Sequence, residues 1–270
     1  MSIKHYVLCI SGYSGSGKDE FASQIITDTG APKIGLADPA KRHMADIYGF
    51  TEEQLFGPSS CRNAGDLRYL REEARSMTAE ELQDAKSGDP KIWLSPREAL
   101  QRYCELMNLM YENTWVRKAL ETHKMMTEIQ KIRGNDYLYW EYDRMMGLVR
   151  RLDSQENLAS VPDIFFSCSA DFRHWHEMLL ARQMTTEFFI PVLIRVKRPS
   201  IPIPPYNHRS ETEMATIPDS VFDFVVNNDG TVDDLHSFAK LILQAIKLPG
   251  FFPNPLSSVT NAMLSSRGSI

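Results

Sequence analysis

At 270 residues the chain is long enough for one domain with insertions or for two small ones, and 43% hydrophobic with 24% charged residues is the make-up of an ordinary globular protein. A formal charge of -5 argues against a protein whose main task is wrapping nucleic acid, and no apolar run reaches membrane-spanning length. Cys9, Cys61, Cys104 and Cys168 show no metal-ligand spacing and read as reduced thiols of a cytoplasmic protein, with no signal-peptide pattern ahead of the first strand.

The first element is the apolar run HYVLCIS, which turns into GYSGSGKDE at Gly12 and leads into a stretch where Phe21, Ala22, Ile25 and Ile26 share a helical face. A strand entering a glycine turn that opens a helix aims several backbone N–H groups at one point, and the helix dipole adds positive potential there. Gly12, Gly15 and Gly17 let the backbone approach phosphate oxygens, and Lys18 adds a mobile point charge. Where the common form of this loop has a metal-binding hydroxyl, this chain has Asp19, followed by Glu20. Asp19 is expected to replace the hydroxyl as a hard oxygen ligand beside magnesium; Glu20, one helix position on, points about 100° away.

Four more apolar runs follow: KIGLADP at 33–39, IFFSCSADFR at 164–173, FFIPVLIRV at 188–196 and VFDFVVNND at 221–229. With the first they predict a five-stranded parallel sheet buried on both faces. Polar residues at their ends would gather at the carboxyl edge, where open α/β sheets bind ligands. Asp171 at that edge suits a magnesium site and Arg173 a phosphate, although both also suit the cap of the following helix. Arg195, Lys197 and Arg198 crowd the end of the 188–196 strand.

About 120 residues between the second and third runs are helical in pattern, too many for a simple crossover. They predict a helical insertion over 41–159 in a core formed by 1–40 and 160–248. Within it, 66–88 alternates charge sign, reads as a solvated helical face and carries a capping-box start at Thr78. The charged stretch 128–157 holds Tyr137, Tyr139, Trp140 and Tyr142, which suit packing more than base stacking. Four prolines within 199–205 predict a stiff loop over 199–217, and a helix is expected over 231–247, capped by Thr231. The tail 249–270 shows no periodic apolar face at its end and is expected to be loosely ordered. NNDG at 227–230 fits an adenine contact as well as a tight turn with no ligand.

Taken together, these stretches resemble the phage-type deoxynucleoside monophosphate kinases of the P-loop kinase superfamily. The resemblance rests on SGYSGSGKDEFA at 11–22, LADPAKR at 36–42, LFGPSSCRN at 55–63, PREALQ at 96–101 and NTWV at 113–116. It continues through ADFRHWHE at 170–177, VKRP at 196–199, HRSETE at 208–213 and NNDGTVDDL at 227–235, in the family's order. It implies a P-loop kinase fold with a helical acceptor-binding insertion and a short lid, and transfer of the γ-phosphate of ATP to a dNMP with Mg2+. Lys18, Asp171 and Arg173 would then be catalytic, and Asp19 and Asp171 would hold the metal. ATP would lie on Gly12, Ser14, Gly15, Ser16, Gly17, Lys18, Asp19, Glu20, Arg198, Asn227, Asn228 and Gly230. The acceptor would be held by Lys41, Arg42, Arg62, Arg97, Gln101, Trp115 and Arg173, with His208, Arg209 and Glu211 in a lid that excludes water.

Departures stand beside this likeness. Tyr103-Cys104-Glu105 replaces the family's Leu-Gly-Thr beside the acceptor site, which leaves the base preference open. Residues 128–161 are longer than in the usual member, suiting an oligomer contact, a cover on the acceptor site or a changed substrate. The expected enzyme is cytoplasmic and phage-encoded, uses a free nucleotide and needs no membrane. The alternatives are a kinase acting on hydroxymethylated pyrimidines in phage DNA and an ATP-binding protein without transfer activity.

Overall fold

A computed structural model describes residues 4–84, 88–133, 164–200 and 209–267. The chain divides into two compact units, one formed by Met1–Leu36 with Val116–Ile270 and the other by Ala37–Trp115.

The first unit is α/β. Its strands β1 (Lys4–Ser11), β2 (Ile164–Ala170), β3 (Phe189–Lys197) and β4 (Phe224–Asn227) form one all-parallel sheet in the order β2-β1-β3-β4. Because successive residues of a strand face opposite sides, an unbroken apolar run seals both faces. Tyr6, Leu8 and Ile10 of β1, with Val192 and Ile194 of β3, pack on α1 (Lys18–Thr29) and on the helix at Val232–Lys247. Val7, Cys9 and Leu193 face the other side, where Val116, Ala119 and Leu120 join Trp175, Met178 and Ala181.

The fifth predicted strand is not formed. Residue Lys33 makes a single parallel bridge to Cys168, flanked by bonds from Ile34 N to Cys168 O (2.8 Å) and from Cys168 N to Pro32 O (2.9 Å). Pro32 has no N–H to extend the ladder, and the chain turns at once into α2 (Asp38–Tyr48), which has Pro39 in its first turn. Among the described residues the sheet therefore has four strands, with a one-residue bridge beyond β2.

In the second unit, α2, α3 (Glu52–Phe56) and α6 (Pro96–Met110) enclose a small core of Met44, Phe50, Leu55 and Ala99, α4 (Ser59–Asn63) packs on α3 and α6, and α5 (Ala79–Asp84) lies apart from that core. The capping box at Thr78 forms, with Glu81 N donating to Thr78 Oγ1 and Thr78 N to Glu81 Oε2. Most of 66–77 is not helical, however: Leu70 bridges to Trp93, and only Glu72–Ala74 makes a 3-10 turn. Buried Asp66 directs this stretch, since it accepts from Arg68 N, Nε and NH2 and from Gln54 Nε2.

Next come α7 (Thr114–Arg133), α8 (Trp175–Gln183), α9 (Arg209–Thr216), α10 (Val232–Lys247) and α11 (Leu256–Arg267). Among the described residues Val116, Ala119 and Leu120 of α7 belong to the core of the first unit, and the second unit spans Ala37–Trp115. Thr231 caps α10 as expected, in a reciprocal pair with Asp234. Two expectations about loose segments change. Residues 209–216 of the proposed lid are helical, and the tail contains α11, which buries Val259 and packs on α8. The aromatic cluster at 137–142 and the prolines at 202, 204 and 205 lie outside the described residues.

One buried ion pair ties this unit together. Arg182 of α8 meets Asp223 at 2.6 Å, with both side chains at most 3% exposed. Asp223 also accepts from Leu193 N (2.7 Å) and Asn254 N (2.6 Å), so it joins β3, α8 and the approach to α11. Burial pushes the Asp223 carboxyl up, against the pull of Arg182. Arg182→Met would strand that carboxylate and should cost about 3–5 kcal/mol in chemical denaturation. Acid should act on the second unit through Asp66. The hydrogen bonds from Arg68 hold its carboxyl at about 2, outweighing the burial that pushes it up. The folded carboxyl thus titrates below its unfolded value of about 3.9, so its contribution is complete above that pH and fades as pH falls towards 2. Melting temperature should drop over that window, and the Asp66→Asn variant should lose this part of the drop.

Candidate functional site

In the parallel sheet of the first unit all carboxyl ends share one edge. From β1 the chain leads to the bridge outside β2, whereas from β3 it leads the other way to β4. Strand order therefore reverses between β1 and β3, and the crevice beyond the carboxyl ends at such a reversal is where open α/β sheets take ligands. The Gly12–Gly17 loop follows β1 directly into this crevice.

The loop is a tight turn, with Ser16 N donating to Tyr13 O at 3.1 Å. Gly17 has φ 90°, a left-handed conformation that L side chains rarely adopt. A Cβ there would stand 2.4 Å from Asn228 Nδ2, and one on Gly12 would stand 2.6 Å from Val196 O. The backbone thus lies pressed against β3 and the turn after β4. No side chain caps α1, whose first N–H groups face the loop. Ser16 Oγ is buried and lacks a hydrogen-bond partner among the described residues.

Lys18 is 6% exposed, and its ammonium lies 3.3 Å from Asp19 Oδ2 and 3.4 Å from Asp171 Oδ1. Lys33 Nζ reaches Asp19 Oδ1 at 3.3 Å, and Arg173 NH2 reaches Asp171 Oδ1 at 3.1 Å. The result is an alternating row, Lys33–Asp19–Lys18–Asp171–Arg173, of three cations and two carboxylates. Asp171 has φ 86°, a conformation costing about 1–3 kcal/mol in a residue with a side chain. Its N–H and that of Phe172 both donate to Ile10 O, which fixes it beside β1. Burial pushes the Asp171 carboxyl up, but Lys18 and Arg173 outweigh this and hold it below the usual carboxylate value.

Asp171 and Arg173 do not serve as the cap of α8 through their side chains. Glu177 takes that part, its Oε2 accepting from Arg173 N and from His174 N (2.9 Å). Glu20 lies apart from the row, bonded to His236 of α10 at 2.7 Å. Asn228 donates from Nδ2 to Ser16 O at 2.9 Å, so this buried amide braces the loop from below. Gly230 is required by close approach, since a Cβ would stand 2.5 Å from Asp234 Oδ2 of the α10 cap. Asn227 ends β4 exposed, Ser14 is exposed on the loop, and Arg198 is exposed with no partner among the described residues. Arg195 is buried and donates to Met214 O and Ile217 O at the end of α9; Lys197 pairs with Asp219 at 2.7 Å.

No family model matches the chain, and no curated protein matches it significantly.

The second unit has its own group of polar residues. Lys41 and Arg42 of α2 lie over the Phe56 ring, 4.4 and 5.9 Å from its centroid, and Lys41 pairs with Asp38 at 3.4 Å. Arg97 of α6 donates to Asn63 Oδ1 at 3.2 Å, and Arg62 to Ser59 Oγ at 3.3 Å. Since α2 and α4 both pack on α6, these residues belong to one helical cluster, with Gln101 exposed one turn after Arg97. The Nε atoms of Arg42 and Arg62 are buried without a hydrogen-bond partner among the described residues. Trp115 donates from Nε1 to Cys104 O at 3.4 Å and stacks at a tilt on Tyr103. Burial pushes the Cys104 thiol up to about 12, which leaves it inert. All four cysteines are free, and Cys9 and Cys168 are core residues.

His208 lies outside the described residues, whereas Glu211 falls on α9. Sequence reasoning missed Lys33 as a member of the row, because a lysine at the start of an apolar run reads as a solvated end. It also missed the pairing of His174 with Glu213 at 3.0 Å. The signal was present in the H-x-H of ADFRHWHE, but nothing in the order of residues says that Glu213 comes back to it.

The loop geometry yields a direct test. Gly17→Ala imposes both the left-handed strain and the contact with Asn228, and should lower stability by about 1–3 kcal/mol in thermal denaturation. Gly250→Ala, also left-handed at φ 90° but with nothing within 4 Å of its Cβ, carries the strain alone and should cost less.

Proposed function

We propose that the chain is a P-loop kinase that transfers the γ-phosphate of ATP to a deoxynucleoside 5'-monophosphate. The observation that carries this reading is the alternating row Lys33–Asp19–Lys18–Asp171–Arg173 at the mouth of the glycine turn. Phosphoryl transfer asks a protein for positioning and charge neutralisation rather than for a covalent residue. A lysine and an arginine converging beside uncapped helix N–H groups meet that demand for a polyphosphate.

The residues present also fit magnesium. Asp19 and Asp171 approach the same ammonium from two elements, and both are at least half exposed, so their oxygens are accessible as hard ligands. Bound there, the ion would neutralise phosphate charge. Lys18, held between the two carboxylates, would follow the transferring group, and Arg173 would meet its equatorial oxygens. Asn228 keeps the loop in shape from beneath, a role compatible with adenine lying near the same turn.

The acceptor half of the proposal rests on the second unit's Lys41, Arg42, Arg62, Arg97 and Gln101. Arginine forks suit the three terminal oxygens of a monophosphate, and the exposed guanidinium ends of Arg62 and Arg97 would meet them. Gln101 would read a base edge.

ADP release in the presence of ATP, Mg2+ and each of the four dNMPs tests the reading. Turnover should depend on at least one dNMP, and Lys18→Ala should lower kcat by at least about 10²-fold. Asp19→Ser should stay active with a shifted magnesium requirement, whereas Asp19→Lys should be inactive. ATP binding without turnover on any dNMP would sink the transfer reaction, and full activity of Asp19→Lys would sink the metal role. Activity confined to an oligonucleotide bearing a hydroxymethylated pyrimidine would move the acceptor from the free nucleotide to DNA.

A further inference from the structure

A second cluster in the first unit lies outside the row that carries the proposed phosphoryl transfer. His174 stands immediately before α8 with an extended backbone, φ -117° and ψ 148°, and His176 falls in the first turn of that helix. The change from extended to helical chain between them brings their rings into a stacked pair, 9° from parallel with centroids 5.1 Å apart. Glu213 approaches from α9, its Oε2 3.0 Å from His174 Nδ1. One ligand atom from each of the three residues lies within 4.8 Å of the other two, and all three side chains are partly buried yet reachable from solvent.

We propose that His174, His176 and Glu213 form a binding site for a zinc-class transition-metal ion. Two imidazole nitrogens and one carboxylate oxygen are the donor set that zinc takes when three protein ligands leave a fourth position for water or another oxygen ligand. The 3.0 Å between His174 Nδ1 and Glu213 Oε2 is close to the separation of two ligands about 2 Å from a shared tetrahedral ion. Glu213 is held at both oxygens, Oε1 accepting from Trp175 N at 3.0 Å and Oε2 facing His174 Nδ1 at 3.0 Å, so an ion would take its place within that second contact. Trp175 is in turn buried and fixed by its indole bond to Thr216 Oγ1 at 3.1 Å, so the carboxylate has the kind of outer support that metal ligands require. Magnesium is the wrong occupant, because it takes oxygen ligands in octahedral geometry and imidazole does not suit it. An ion here would join the start of α8, one residue after Arg173, to the middle of α9.

Untagged full-length protein, stripped with chelator, should be titrated with Co2+ as a visible reporter for zinc. One equivalent should give the intense absorption of a four- or five-coordinate site; Zn2+ should displace it, and excess Mg2+ should not. His176→Ala and Glu213→Gln should each weaken binding at least about tenfold, the smallest loss seen when a supporting residue of a metal site is removed. Glu213→Gln keeps the shape of the side chain, and Zn2+ should raise the melting temperature of the wild type but not of this variant. Asp19→Asn should bind Co2+ like the wild type, which separates this site from the Asp19 and Asp171 carboxylates. Only the weak absorption of hydrated Co2+, or bands that survive at full strength in both His176→Ala and Glu213→Gln, would overturn the proposal.

Discussion

Everything in the α/β unit follows from the sealing of β1 on both faces. A strand hydrogen-bonded to β2 on one side and β3 on the other, with helices above and below, can place polar chemistry only at its ends. Parallel pairing then brings all the carboxyl ends to one edge. The register sets Ile10 opposite Ala170 and Ser11 opposite Arg195, so the residues that follow each strand emerge about one strand spacing apart. This is why Lys18, eight residues beyond Ile10 in the loop and helix after β1, can reach Asp171, the first residue after β2. The site is a consequence of register before it is a consequence of any single side chain.

That same constraint decided what could be read from the sequence. Strands buried on both faces, such as β1 and β3, appear as unbroken apolar runs and were legible, as were β2, the half-exposed edge strand β4 and the glycine turn. Local chemistry was legible too: Thr231 with Asp234 and Thr78 with Glu81 form their capping boxes where the residue order says they should. The run at 33–39 failed as a strand because only one residue pairs before the Asp38-Pro39 helix start takes over, and a hydrophobic count does not register that competition. The tail failed in the opposite direction. Its buried face is Val259 with the partly buried Ala262 and Met263, too narrow and too small to stand out among serines.

Long-range polar partnerships were the least legible part of the molecule. Arg195 is one of three cations that crowd a strand end in the sequence, yet it is 6% exposed and holds backbone carbonyls at the end of α9. Asn228 reads as a turn residue or a base contact, and its amide lies under the phosphate-type loop, 212 positions earlier in the chain. The Arg182–Asp223 pair is 41 residues apart and almost wholly dry. A buried pair of this kind offers little net stability over an apolar pair of the same volume, but either member alone is costly. Its effect is therefore on which arrangement is tolerated: β3, α8 and the segment before α11 must meet at one carboxylate. Composition holds no trace of such a requirement.

The presence of Asp19 in a loop suited to phosphate is explained by the same reasoning applied to charge. A lysine ammonium as buried as that of Lys18 needs anionic neighbours when no ligand is bound, and Asp19 and Asp171 provide them at 3.3 and 3.4 Å. Each of these carboxylates is in turn held by a second cation, Lys33 or Arg173, so the row has an excess of one positive charge before the uncapped helix N–H groups are added. A polyphosphate with a divalent cation suits this row on both counts. Under the proposed function its oxygens would replace the carboxylates as partners for the cations, and its metal would give the freed carboxylates a partner in return. Under the proposed function, Asp19 is thus a placeholder for phosphate on Lys18 in one state and a ligand to the metal in the other, which a hydroxyl at the same position has too little charge to be.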